Sequence, residues 1–241
     1  MKKIYAKDNQ LVFSSEVDES LANAIRRYIS KIPLLAIDAV EISKNDSPLY
    51  DETVAQRIGL IPLKMPSGSV KEDKEFTLKL STEKEGFIKA GELKGDLKVV
   101  YEGIPITFLN KGQEFEIVAT AKVGRGIQHA KFNPGLMFYR NTAEITLDKE
   151  FANEIKGVFP KAEIKEKGNK IIIQDNQKAD MIDFCEGIAQ KNGAEIEIKY
   201  NPELIITLEG FGQMDVDDIF KKAVEELGKD LEQLEKKISK E

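Results

Sequence analysis

Among the 241 residues His129 is the only histidine and Cys185 the only cysteine, so the two side chain types that titrate or attack most readily near neutral pH each occur once. His129 lies in the segment GRGIQHAKFNPG, residues 124 to 135, which joins three glycines and a proline to basic and aromatic groups. A general base there would need a Ser, Cys or carboxylate in a recognisable nucleophile arrangement, and none lies nearby in the chain. His129 reads more simply as a structural or interface residue. Gly124-Arg125-Gly126 lacks the G-x-x-x-x-G-K-[ST] spacing and the strand-to-helix junction that aim amides at a phosphate. Cys185 falls in the stripe Met181, Phe184, Cys185, Ile188 and reads as a small buried hydrophobe. One thiol and one imidazole cannot build a four-thiolate cluster, an internal disulfide or a zinc knuckle, so neither catalytic nor metal-binding residues are expected.

The elements that would position these groups follow from periodicity. KIYA (3–6) and LVFS (11–14) flank Lys7-Asp8-Asn9-Gln10 and predict a hairpin. A helix follows, capped by Asp18, with Leu21, Ile25, Tyr28, Ile29 and Ile32 on one stripe and Pro33 as its stop. Leu35 to Ile42 predicts a strand, and DETVAQRI (51–58) a short helix with an Asp51 cap, a Gly59 stop and Arg57 in its last turn. From about 66 to 148 the short runs FTLKL, LKVVY, IPITF, FEIVATA and AEITL predict an antiparallel β-rich region, with 124–135 as an ordered loop. Residues 149 to 200 read helix, strand, strand, helix, strand, with Gly168-Asn169 as a hairpin turn, which suits a ferredoxin-like α+β unit. A strand at 203–209 then leads into a long helix opened by Asp215 or Asp217. Its apolar residues Val216, Ile219, Phe220, Ala223, Val224, Leu227, Leu231, Leu234 and Ile238 recur at helical spacing, along a rod of roughly 35 Å at 1.5 Å per residue. That stripe outruns what one short sheet covers, so a second subunit is expected to cover it.

Composition narrows the function classes. Thirty-six Lys plus Arg against 42 Asp plus Glu give a formal net charge of −6, so no global basic field holds nucleic acid. With 41% hydrophobic residues the chain can build real cores. No apolar run approaches the ~20 residues of a membrane helix, and Lys7, Asp8 and Gln10 interrupt the place where a signal peptide's apolar core would lie. A cytoplasmic protein that neither enters a membrane nor binds nucleic acid directly is expected.

Four segments together point to one family. SLANAIRRYISKIPLLAIDAVEI (20–42), DETVAQRIGLIPL (51–63), GRGIQHAKFNP (124–134) and IITLEGFGQMDVDDIFKKAVEELGKDL (205–231) resemble, in order and spacing, the D subunit of archaeal DNA-directed RNA polymerase, in the family of the bacterial alpha subunit and the eukaryotic third-largest subunit. The resemblance implies an α+β fold in which a discontinuous dimerisation domain, an antiparallel sheet plus two helices from residues 1–40 and 203–241, carries an inserted β-rich domain at 41–148 and a ferredoxin-like unit at 149–202. It implies a non-catalytic assembly subunit of a nucleotidyltransferase complex, pairing with the small L subunit, docking the second-largest subunit and meeting further small subunits. Many relatives hold an iron-sulfur cluster on cysteines of the ferredoxin-like unit; with Cys185 alone, no cofactor is expected, and that unit should be held by Ile155, Phe159, Ile171, Ile173, Met181, Phe184, Ile188, Ile196 and Ile198.

Residue by residue, the resemblance places Leu21, Ala24, Ile25, Tyr28, Ile29, Phe220, Val224, Leu227 and Leu231 at or beneath the small-subunit interface. It places Arg26, Arg27, Arg57, Gly59, Leu60, Arg125, His129, Lys131 and Phe132 where larger subunits are faced or supported. Two rival classes are a small hydrolase using the 124–135 loop, which lacks a convergent nucleophile and base, and a stand-alone RNA-binding module. The strands AEIKE, KIIIQ and AEIEIK offer no aromatic ring for a base to stack on, which weighs against the latter.

Overall fold

The computed structural model describes residues 1–66, 73–177 and 179–239. Twelve strands and five helices alternate along it: β1 (Lys2–Lys7), β2 (Gln10–Ser15), α1 (Glu19–Tyr28), β3 (Pro33–Asn45), α2 (Asp51–Gly59), β4 (Phe76–Thr82), β5 (Gly86–Lys89), β6 (Lys94–Gly95), β7 (Pro105–Leu109), β8 (Phe115–Arg125), β9 (Gly135–Asp148), α3 (Ala152–Val158), β10 (Glu163–Lys167), β11 (Lys170–Asp175), α4 (Ile182–Asn192), β12 (Glu197–Gly210) and α5 (Val216–Ile238). The class is α+β. Residues 1–24 with 137–208 form one compact unit, and residues 25–136 with 209–241 form a second.

The first unit is built on a six-stranded sheet in the order β1-β2-β12-β9-β11-β10. The β1–β2 hairpin turns at Asp8, whose φ of 54° is the left-handed conformation that a short polar side chain tolerates. Asp18 caps α1 as its position predicts, accepting the Ser20 N–H at 2.7 Å. The hairpin at Gly168 forms as expected, and α3 and α4 close a core of Ile145, Leu147, Phe151, Ile155, Ile171, Ile173, Met181, Cys185, Ile188 and Ala189. Phe159 and Phe184 meet edge to face at its rim, 5.4 Å between centroids. Ile145 and Leu147 of β9 join this core, because β9 pairs with β11 from Ala143 to Asp148. Where two strands were expected, 194–199 and 203–209, β12 runs unbroken through Pro202. The Asn141 amide donates to the carbonyl of Asn201 at 3.1 Å, beside the proline that cannot donate to the ladder.

In the second unit a sheet in the order β3-β8-β4-β6 and the β5–β7 pair enclose Ile37, Leu63, Leu78, Ile88, Ile106, Phe115 and Ile117, with Val54 and Ile58 of α2 on top. LKVVY (97–101) is not the strand its composition suggests. It makes an isolated bridge, Leu63 to Val99, with Val100 donating to Pro62 and Lys64 to the carbonyl of Lys98. Pro62 has no N–H with which to extend a ladder. Asp51 is not the cap of α2 either. Tyr50 occupies that position, and Asp51 instead accepts from Asn45 at 2.8 Å, tying the helix to the end of β3.

Candidate functional site

Two surfaces gather the residues singled out above. The first is the helical one. Ile25 and Ile29 are buried, Ala24 and Tyr28 half-buried and Leu21 exposed, so the α1 stripe divides between core and surface. The 3-10 turn Ile29–Lys31 prolongs α1 up to Pro33, and α5 packs on it. There the Tyr28 hydroxyl donates to Asp230 Oδ2 at 2.9 Å and Lys31 Nζ reaches the same oxygen at 2.6 Å, its ammonium 4.0 Å above the Tyr28 ring. These donors hold the Asp230 carboxyl below its ordinary range, Lys31 contributing most. Along α5 Val216, Ile219 and Ala223 are buried, Phe220 and Leu227 half-buried, Val224 exposed, and Leu231, Leu234 and Ile238 are 56%, 53% and 65% exposed. Asp230 was absent from the sequence expectations; it sits on the polar face, and nothing local links it to residues 28 and 31.

The second surface is the 124–135 loop with the end of α2. Its glycines are required by packing. A Cβ on Gly124 would meet the Phe132 ring at 2.7 Å, and one on Gly135 would meet the Glu209 carbonyl oxygen at 2.2 Å. Phe132, only 3% exposed, is therefore a packing residue that supports the loop from within. Ile127 donates to the carbonyl of Ser30, the Arg125 N–H to Gln128 Oε1 at 2.8 Å, and the Lys131 N–H to His129 Nδ1 at 3.1 Å. His129 thus caps the 3-10 turn Ala130–Phe132, an architectural duty. Lys131 Nζ lies 2.8 Å from Asp38, which also holds Lys122 at 2.6 Å, and the two lysines keep the Asp38 carboxyl below its ordinary range, Lys122 first. Asp38 was missed, although one carboxylate in the apolar run PLLAIDAV was the available signal.

Gly59, Leu60, His129 and Lys131 line one cavity of about 260 Å³ together with Asp38 and Gln56. Arg57 does not join it. Its guanidinium donates to the carbonyl of Ile106 at 2.9 Å, bonding α2 to β7. Arg26 and Arg27 stand exposed on α1. Such a surface can hold a protein partner through exposed apolar groups and a rim of cations.

The residues present do not fit an iron-sulfur cluster. Cys185 lies buried in the core beneath α4, where burial pushes its thiol up to about 11, and the thiolate is the ligand form. No group of three or more His, Cys, Asp or Glu among the described residues could hold a metal ion. No helix among them is long and apolar enough to cross a membrane.

Residues 29–152 match the family model of the RNA polymerase Rpb3/RpoA insert domain. The chain belongs to this family of RNA polymerase subunits. It is similar to the DNA-directed RNA polymerase subunits Rpo3 of Pyrobaculum arsenaticum, 31% identical over 86% of this chain and 83% of that one, and of Natronomonas pharaonis, 30% identical over 92% and 90%. With the Rpo3 of Thermococcus kodakarensis identity rises to 40%, over 56% of each protein, so the chain there spans little more than half of its relative. Within this Rpb3/RpoA chain the matched insert region contains Arg57, Gly59, Leu60, Arg125, His129, Lys131 and Phe132, the whole of the loop surface. Arg26, Arg27 and helix α5 lie outside it.

Proposed function

We propose that the chain is the D-type assembly subunit of a cytoplasmic archaeal RNA polymerase, contributing no catalytic residue. In this reading residues 1–40 and 203–241 form its dimerisation domain, 41–148 the inserted domain and 149–202 the ferredoxin-like unit. The small L subunit covers α5 and α1; the second-largest subunit docks on the loop surface, and further small subunits complete the assembly without this chain touching nucleic acid. One observation carries the heterodimer: the last turns of α5 leave Leu231, Leu234 and Ile238 more than half exposed in line with Leu227. Covering what remains exposed of these side chains contributes on the order of 1 kcal/mol each, which favours a partner on this face.

The test is co-purification with the L subunit. Leu227→Asp with Leu231→Asp should abolish the heterodimer while the chain still folds, with a modest loss of thermal stability at half-buried Leu227, since an unpaired carboxylate is costly where it is buried. An unaltered elution profile of the mixed subunits would remove α5 from the interface. The same reading holds that this chain carries no cluster, and anaerobically purified protein should contain far less than one iron per chain; stoichiometric iron and sulfide would contradict it.

A further inference from the structure

Helix α5 carries two apolar stripes. Val216, Ile219 and Ala223 are buried. Beside them Phe220, Val224, Leu227, Leu231, Leu234 and Ile238 follow at steps of 4, 3, 4, 3 and 4, the heptad repeat of a helix that packs along another helix. Val224, Leu231, Leu234 and Ile238 of this seam are exposed. The flank of the seam turned away from Val216, Ile219 and Ala223 holds Lys221, Gly228 and Glu235, each seven residues from the next. A Cβ on Gly228 would meet nothing within 4 Å, so the chain's own packing does not require a glycine there, although glycine weakens a helix interior. What a glycine at that place admits is a second backbone close by. Lys221 and Glu235 are opposite in sign and lie at equal distances from it, about 21 Å apart along the helix at 1.5 Å per residue, beyond each other's reach.

We infer that a second copy of this chain covers the seam when no other partner does, two α5 helices packing antiparallel about a twofold axis beside Gly228. In that register Lys221 meets the partner's Glu235 at both ends, and the seam sets Phe220 on the partner's Ile238, Val224 on the partner's Leu234 and Leu227 on the partner's Leu231. Asp230 lies near the axis on the other flank, with Lys31 as its counter-charge. A parallel pair would lose both Lys221 contacts and set Asp230 beside the partner's Glu235, carboxylate against carboxylate. One register that satisfies the seam, the charges and the glycine together is what an isologous contact requires. The contact is about 27 Å long and one helix wide, smaller than a standard interface, so it is transient and does not register in the unfolding of dilute protein. The pairing goes beyond the function proposed above and rests on it only in making the small subunit its competitor.

The experiment is sedimentation equilibrium of the full-length chain alone. Its mass should rise from one chain toward two across roughly 1–100 µM, the range of a contact smaller than a standard interface. Leu234→Asp, at an exposed position, should hold it at one chain throughout. Lys221→Glu or Glu235→Lys alone sets like charges opposite each other at both ends and should weaken the dimer about fivefold, whereas the two together should restore it to within about twofold of the parent. Gly228→Ala should weaken the dimer yet raise the unfolding temperature of dilute protein, opposite signs that a glycine needed only by its own helix does not give. The small subunit, added in equal amount, should convert the dimer into heterodimer. A mass of one chain at every concentration, a dimer indifferent to Leu234→Asp, or a double reversal no stronger than its single parts overturns the pairing. Refusal of the small subunit by a chain that pairs with itself in this way overturns the function proposed above and leaves the pairing standing.

Discussion

Helix α4 lays Cys185, Ile188 and Ala189 on Ile145, Leu147, Ile171 and Ile173, and all of these are buried. Helix α5 starts in the same way with Val216, Ile219 and Ala223, then carries Leu231, Leu234 and Ile238 out into solvent. Both helices are amphipathic by the same periodicity. They differ in length against support: α4 has 11 residues over a sheet that matches it, whereas α5 has 23 and rests on a three-residue turn near its middle. An amphipathic stripe thus states that a helix face will be covered, and only the supporting surface tells whether the same chain covers it.

The contrast can be broken first at the closed end. Arg140 grips Asp175 with two hydrogen bonds, 2.7 and 2.9 Å, and reaches the carbonyls of Gln177 and Ala179 in the segment that leads to α4. Burial raises the Asp175 carboxyl above its ordinary range while the guanidinium pulls it back. Arg140→Ala should cost about 3–5 kcal/mol in denaturant unfolding, because it leaves a fully buried carboxylate without its counter-charge. A loss no larger than that of a surface substitution would show that the α4 region is not sealed by this pair.

At the open end the same kind of measurement should return almost nothing. Leu231→Ala should leave the isolated chain within about 0.5 kcal/mol of the parent, as expected of an exposed side chain. Association with the small subunit should weaken at least about tenfold, a figure in keeping with a buried interface leucine. A large fall in the isolated chain's stability would mean that α5 is already covered by its own fold.

The smallest effect is expected at the hinge between the two regimes of α5. Lys31 and Tyr28 lower the Asp230 carboxyl, so the stability this cluster supplies is present above the ordinary carboxylate range and is lost as the pH falls through the depressed value. Asp230→Asn should therefore lower stability slightly at neutral pH, a deficit that closes as the pH falls through the depressed value and so flattens the acid side of the profile, as read from thermal unfolding between pH 7 and strongly acidic buffer. An unchanged acid limb would show that the triad contributes nothing.

Much was legible because it is local. Side chain period, the Asp18 cap, the Gly168 turn and the α5 stripe depend on residues a few positions apart, and the count of one cysteine bounds cofactor chemistry without any structure. One of the four resembling segments, 124–134, is the stretch that forms the loop. What the sequence could not decide involves residues far apart in the chain. Asp38 beside Lys122 and Lys131, and Asp230 beneath Tyr28 and Lys31, are set by strand pairing and packing. LKVVY shows the same limit, since its β propensity was overruled by a proline some 37 positions earlier with which it had to pair. Propensity acts along the chain, whereas burial and polar satisfaction are settled only when distant segments meet, so the sequence set which face of α5 is apolar and the tertiary structure decided where its cover ends.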